Sequence, residues 1–235
     1  MDLSIIIVSH QHDFFLDSLL KSISDQENLN NYEILLLHNL HSDYKSPFSI
    51  REFTNPKPLG LSENLNFLIK QVQSPISLIL NPDTILPSLC LQKCLEKLKS
   101  NHVLSCPAFH PEGRRLVNLR PFPTIKDILW ERFIEPTSRL KTQAKLELRP
   151  DNNCWLQGSF LMAESKVFQK VGFDPSYALY FEDVDFFRRA RRLNVAIQYE
   201  QSTYYVHHHC RASGELFSRE FWMHCRSAMR YFTGV

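Results

Sequence analysis

Only six of the 235 residues are glycine, and none falls into a G-x-G-x-x-G or a Walker pattern. Dinucleotide folds and ATP loops need such glycines to bring backbone N–H groups against phosphate, so both are disfavoured and a nucleotide must be held another way. No run approaches the roughly 20 apolar residues of a membrane span. The start, Met1-Asp2-Leu3-Ser4-Ile5, has neither a basic n-region nor an apolar stretch long enough for a signal peptide. Charge is nearly balanced at +2, which gives no global pull toward nucleic acid, and no nucleic-acid partner is expected. The local run Arg188, Arg189, Arg191, Arg192 reads as a solvated helix face, with a phosphate or membrane surface as the alternative. The six cysteines lack paired zinc-ribbon spacing. With no export signal, they read as reduced thiols in a cytoplasmic setting, and Cys90 and Cys94, one helical turn apart, as helix packing residues.

What the chain does have is 43% hydrophobic content, arranged as alternating apolar runs and helical patterns. Leu3–Val8, Tyr32–Leu37 and Ile76–Leu80 are continuous runs that predict buried parallel strands. Phe14–Ile23, Ser62–Val72 and Pro87–Lys99 show helical spacing, and Val103–Cys106 reads as a further strand. Pro82 bars pairing beyond the third run. From Glu112 to Asp151 a proline-rich, basic stretch with an amphipathic segment at Ile125–Ile134 reads as an excursion over the sheet, such as a lid or acceptor-binding surface. The second half then predicts a strand at Trp155–Met162, a helix at Ser165–Val171, a helix opened by the acidic cluster and ending at Leu193, strands near Val195–Tyr199 and Tyr204–Val206, and a closing helix at Leu216–Phe232. This is an α/β pattern, predicting one domain with an open, mostly parallel sheet flanked by helices and a small antiparallel element in its second half. Ligands should gather beyond the carboxyl ends of the strands, at Ser9-His10, His38-Asn39 and Asn81-Pro82-Asp83-Thr84.

Tyr180-Phe181-Glu182-Asp183-Val184-Asp185-Phe186-Phe187 sets three carboxylates among five apolar or aromatic residues. Burying a carboxylate is costly unless a cation, metal or substrate proton compensates. Asp185 has Arg188 and Arg189 at i+3 and i+4 for an ordinary ion pair. Asp183 can serve as a helix cap, whereas Glu182 has no comparable partner in sequence. Asp83, beside Pro82 at a strand end, projects either into the ligand crevice or into an Asp-Thr capping turn. His207-His208-His209 follow a strand, so that at least one should face a site. One carboxylate and one imidazole suit Mn²⁺ or Mg²⁺ better than zinc when a diphosphate supplies the remaining oxygens. A zinc alternative would draw on His207, His209, Cys210, His224 and Cys225, whose spacing fits no common pattern.

Ser4 through Ser9-His10, Glu33 through His38-Asn39 with Asp43, Leu59-Gly60 with Asn66, and Leu78 through Asn81-Pro82-Asp83-Thr84 resemble the first half of a family 2 glycosyltransferase with the GT-A fold. Trp155 through Gly158 to Met162, Val171 through Asp174, Tyr180 through Asp185, and Val206-His207 through Ser213 resemble its second half, in the same order. The bacterial rhamnosyltransferase-like branch is the most similar. The resemblance implies a nucleotide-binding half over 1–110 and an acceptor-binding, catalytic half over 111–235. It implies an inverting transferase that moves a sugar, rhamnose being the branch's example, from a dTDP or UDP donor to a glycan or lipid-linked acceptor. Asp83 matches the last acid of the D-x-D element that binds the metal, Mn²⁺ or Mg²⁺, and Asn81 stands in place of the first. Asp183 matches the general base, with Glu182 beside it. His207 matches the histidine completing the metal site, with His208 and His209 as register alternatives. Ser9, His10, His38, Asn39, Gly60 and Asn66 fall among the donor-binding positions, and Trp155, Gly158 and Asp185 among those supporting the acceptor. His38 replaces the acid that reads the pyrimidine. A helix dipole at Asp183 favours its ionised form.

Two other readings differ in class. An inactive sugar-nucleotide-binding or scaffold protein of the same fold is motivated by His38 and by the end at Val235. A nucleotidyltransferase would pair Asp83 with Asp183 as metal ligands but lacks a glycine-rich triphosphate loop. Trp130, Arg132 and Phe133 offer a peripheral contact with the inner face of the membrane as the alternative to core packing.

Overall fold

A computed structural model describes residues 2–27, 29, 31–124, 142–147, 150, 153–208 and 219–234. A seven-stranded sheet forms its centre, in the order β11-β6-β10-β4-β1-β2-β3. The first-half strands are β1 (Leu3–Ser9), β2 (Tyr32–His38), β3 (Arg51–Thr54), β4 (Ile76–Leu80) and β6 (His102–Ser105); β10 (Phe160–Glu164) and β11 (Ala196–Tyr199) come from the second half. β1 runs parallel to both β2 and β4 and is buried on both faces of the sheet. Leu3, Ile5 and Ile7 join one buried cluster with Leu16, Leu19 and Leu20 of helix α1 (Asp13–Ser24). Ile6 joins the opposite one with Leu65 and Leu68 of α2 (Leu61–Ile69). The period-two alternation of a strand thus divides one apolar run between two cores.

β10 is the exception to the parallel arrangement, lying antiparallel between β4 and β6. The single strand expected over Trp155–Met162 is in fact two. β9 (Cys154–Leu156) pairs antiparallel with β8 (Leu119–Pro121) in a separate two-stranded sheet, and β10 begins at Phe160. The break falls at Gly158-Ser159, where the Gly158 N–H leaves the ladder to reach the Asp183 carboxylate at 3.1 Å. Apolar residues on both sides make the stretch read as one strand, although Gln157-Gly158-Ser159 interrupts it at the break. Pro82 does end β4, but pairing resumes two residues later. β5 (Thr84–Ile85) joins β12 (Tyr205–His207), which also pairs with β7 (Ala108–Phe109).

The remaining helices sit close to their expected places. α3 (Cys90–Lys97) starts later than the pattern suggests, after Leu89 at φ 63°. α4 (Ser165–Val171) matches its expected range, α5 spans Glu182–Arg192 and α6 spans Arg219–Thr233. The amphipathic segment at 125–134 lies outside the described residues, as do Trp130, Arg132 and Phe133. Among the described residues, no helix is long and apolar enough to cross a membrane.

The start of α2 seats the loop that leads to the acidic cluster. The Leu61 N–H donates to the Ala178 carbonyl at 2.8 Å, and the Ser62 hydroxyl to the Tyr177 carbonyl at 2.8 Å. Backbone comes so close here that a Cβ on Gly60 would stand 2.9 Å from the Ala178 Cα. Gly60→Ala should therefore destabilise the protein by about 1–3 kcal/mol, the usual range for overpacking, in a urea titration. An unchanged midpoint would show that the two segments separate freely.

Candidate active site

The ends of β1, β2 and β4, the start of α5 and the strand β12 bring most of the sequence-predicted residues together. Ser9 closes β1, fully buried, and its hydroxyl accepts the His12 N–H and faces an Asp13 carboxylate oxygen, both at 3.3 Å. Asn39 clamps the following loop: its amide donates to the Leu59 carbonyl at 2.8 Å, and its carbonyl oxygen accepts the Leu59 N–H at 2.9 Å. The same amide nitrogen lies 3.1 Å from His10 Nδ1. His38 is buried beside it, between Asp13 Oδ1 and Glu52 Oε2, each 3.7 Å away. Among the described residues, neither of its ring nitrogens has a hydrogen-bond partner. Asp43, by contrast, is fully exposed, 3.4 Å from His41.

Asp83 and His207 meet directly, Oδ1 to Nε2 at 3.2 Å. Pairing of β5 with β12 places them, since His207 sits opposite Thr84, and the Asp83 carbonyl takes the His208 N–H at 3.0 Å. His208 itself stacks near Phe15, with ring centroids 4.9 Å apart. An octahedral ion with ligands at roughly 2.1 Å holds adjacent donors about 3 Å apart, so this carboxylate and imidazole are spaced to share a hard divalent cation. His209 and Cys210 of the zinc alternative lie outside the described residues, and His224 packs edge-on against Tyr180 and Phe181.

Asp183 lies in the first turn of α5. Its two oxygens accept different backbone N–H groups, Val184 at 2.8 Å and Gly158 at 3.1 Å. Burial nonetheless outweighs these donors and the attraction of Arg120, pushing its carboxyl up to about 6. The helix dipole expected to hold Asp183 ionised is thus overcome in part. Glu182 is pushed further, to about 8, by burial and then by the Asp183 charge, and its Oε2 is buried without a hydrogen-bond partner. The two carboxyls are linked through charge, and Glu182 is the one pushed further toward its protonated form. Asp185 differs: it is held at 2.9 Å by Arg188 and 2.6 Å by Arg189, and Arg189 also grips the Val171 and Gly172 carbonyls. Tyr180 and Phe181 both carry φ 65° just before the helix, a conformation uncommon for bulky side chains and concentrated at functional sites.

Gly158 and Trp155 border the start of α5, and Asn81 is tied to the turn beside them. The Trp155 indole donates to the Pro121 carbonyl at 3.0 Å, and the Arg120 guanidinium stands 5.7 Å over its ring. Asn81 donates its N–H to the Ser159 carbonyl at 3.1 Å. Asn66 lies apart in its bonding, with its amide nitrogen and oxygen both on Phe173, at 2.6 and 2.8 Å, tying α2 to the loop after α4. Gly60 likewise seats α2 on Ala178. Sequence reasoning missed His12, Arg120, Ser159 and Tyr205. His12 is close enough to Asp83 for that charge to act against the burial that lowers its imidazole. The His10-Gln11-His12 spacing at a strand end was the available signal. Ser159 and Tyr205 share a hydroxyl hydrogen bond of 2.7 Å and carried no such signal.

The sequence profile for glycosyl transferase family 2 matches residues 4–172. The chain belongs to glycosyl transferase family 2. It is 26% identical over 246 residues to the rhamnosyltransferase WbbL of Escherichia coli (strain K12), covering 97% of this chain and 91% of that protein. Among solved structures, S. aureus TarS 1-349 superposes with a TM-score of 0.63 at 16% identity over 88% of this chain and 60% of its own. The mannosyltransferase PcManGT from Pyrobaculum calidifontis, in complex with GDP-Man and Mn²⁺, gives 0.64 at 10% identity over 90% and 58%. The chain thus spans about three-fifths of these two structures, which share its GT-A fold. TarS also has a structure in complex with UDP-GlcNAc. A rhamnosyltransferase-like glycosyltransferase of family 2 is what these similarities establish.

The raised carboxyls carry a sign. Folded-state values above the ordinary carboxylate range mean that Glu182 and Asp183 support the fold fully below about pH 4, and that this support is lost as pH rises through about 6 and about 8. Glu182→Gln should accordingly gain thermal stability over the parent protein as pH is raised from about 5 to about 9. A melting-temperature difference that stays constant across that range would contradict the burial of an ionisable Glu182.

Proposed function

We propose that this family 2 enzyme transfers a sugar, with inversion, from a nucleoside-diphosphate donor to a hydroxyl of a glycan or lipid-linked acceptor. The observation that carries the reading is the meeting of Asp83 with His207 at 3.2 Å, on a frame that also holds Asp183 against Gly158. A divalent cation, Mn²⁺ or Mg²⁺, fits between Asp83 and His207 and would offset the charge of the departing diphosphate. Similarity to WbbL favours rhamnose as the sugar, and with it a dTDP or UDP donor. The Mn²⁺ and GDP-Man in the PcManGT complex support a metal-assisted nucleotide sugar in this fold.

Asp183 is the general base. An acceptor hydroxyl is a poor nucleophile, and a carboxylate whose pKa is raised toward the working pH takes its proton more effectively as the bond to the anomeric carbon forms. Two backbone N–H groups orient that carboxylate while leaving lone pairs on each oxygen for the acceptor proton. Arg120 partly offsets the burial that raises the Asp183 carboxyl, and Trp155 under Arg120 forms a flat wall for the acceptor. Glu182, protonated near neutrality, keeps a second negative charge away from the base. Asp185 keeps α5 in place through its two arginines. Ser9, His10, His38 and Asn39 line the donor side at the ends of β1 and β2. Family membership favours glycosyl transfer over nucleotidyl transfer, and the intact Asp183, Asp83 and His207 favour an active enzyme over a scaffold.

Two variants test the assignment. Asp183→Asn should fold and bind donor normally yet lose transfer by about 10²–10⁴-fold, the usual contribution of a positioned base; near-normal turnover would sink the role of Asp183. Asp83→Ala should abolish the Mn²⁺-dependent thermal stabilisation given by dTDP- and UDP-sugars. Undiminished stabilisation in that variant, or in the parent protein with EDTA present, would remove Asp83 from the metal site.

A further inference from the structure

Three of the cysteines, distant in sequence spacing, converge in the fold. Cys90 and Cys94 lie one turn apart on α3, and Cys106 follows β6. All three are completely buried, and their sulfurs all lie within 4.8 Å of one another. Among the described residues this is the only group of three or more histidine, cysteine or carboxylate ligands so gathered. The spacings of four and twelve residues match no common zinc pattern, which is why the sequence alone does not show the cluster.

We propose that Cys90, Cys94 and Cys106 form a closed binding site for one thiophilic cation, Zn²⁺ or Cu⁺, distinct from the Asp83 and His207 pair. Thiolate sulfurs about 2.3 Å from a metal stand roughly 3.8–4.0 Å from one another, so the trio closes on an ion by a contraction of under about 1 Å per pair. Soft sulfur ligands select such ions over Mg²⁺ or Mn²⁺, which the oxygen and nitrogen of Asp83 and His207 suit instead. Each coordinating thiol gives up its proton to solvent as the ion enters. Three thiolates on Zn²⁺ leave one net negative charge, and the Lys93 ammonium is near enough to act on Cys90.

The rival explanation is that three buried thiols pack as small apolar groups. Packing alone asks for no meeting of the three sulfurs at one point, whereas a shared ion requires it, and all three sulfurs do lie within 4.8 Å of one another. With no exposed ligand, the ion is loaded as the chain folds and retained afterward, as in structural metal sites.

Elemental analysis of the purified full chain, dialysed against EDTA in the native state, should find about one Zn²⁺ or Cu⁺ per chain, released only on unfolding, and the element found identifies the ion. Refolding with Cd²⁺ should give the ultraviolet charge-transfer band of cadmium–thiolate bonds. Cys106→Ala should lose both the metal and the band, whereas Cys225→Ala, which changes the half-buried cysteine outside the cluster, should keep them. Native parent protein that carries no metal and gives no band after refolding with Cd²⁺ would overturn the site even if Cys106→Ala failed to fold. A bound ion undiminished in Cys106→Ala would overturn it equally.

Discussion

The antiparallel strand β10, with the tight turn that feeds it, is the constraint on which the candidate site depends. A purely parallel sheet would need a long crossover to bring the second half of the chain beside β4. Here the chain instead turns at Gly158-Ser159 and enters the sheet directly. That turn touches every part of the proposed chemistry. The Asn81 N–H donates to the Ser159 carbonyl, fixing the start of the Asn81-Pro82-Asp83 loop. The Gly158 N–H fixes Asp183, and the Ser159 hydroxyl meets Tyr205, two residues before His207. The proposed metal ligands and the proposed base are therefore referenced to one short piece of backbone rather than to separate loops. Each of these bonds is buried or nearly so, and leaving one unmade costs about 1–3 kcal/mol, enough to keep the parts in register.

The acidic cluster shows how environment, not residue type, assigns roles. Glu182, Asp183 and Asp185 stand within four residues on the same helix, yet each meets a different partner. Asp185 faces two guanidinium groups and is tied to the fold. Asp183 faces two backbone donors and the field of Arg120, which bring it only part of the way back from burial. Glu182 faces neither and is the acid that keeps its proton. Pairs of carboxyls pushed apart in this way are how a single fold supplies a neutral and an ionised acid at one pH.

Most of the frame was legible because its signals are local. Continuous apolar runs gave β1, β2 and β4 within a residue, and Ile76–Leu80 and Ser165–Val171 match in full. β3, with its alternating half-buried and exposed residues at the sheet edge, carries no such run and was missed. The split of Trp155–Met162 was illegible for a different reason. Both pieces are buried, and the break is set by a hydrogen bond to a side chain 25 positions away. The same distinction divides the site. Asp83, Asp183 and His207, candidates from position and resemblance, sit where the strand ends and the start of α5 meet. Arg120, His12 and Tyr205 entered only through partners remote in sequence.

His38 illustrates the limit most clearly. Sequence presents it as the loss of an acid at the end of β2, a change from negative to neutral or positive. In the fold, Asp13 opens α1 on one side of the ring and Glu52 of β3 lies on the other, each 3.7 Å away. Two carboxylates against one imidazole leave the end of β2 net negative in either protonation state of the ring. The end of β2 therefore has carboxylates on both sides of the ring, although position 38 itself carries none. Asp13 is further engaged by Ser9 and by Ser42 at 2.6 Å, so the carboxylate is part of the same bonded frame as the strand end.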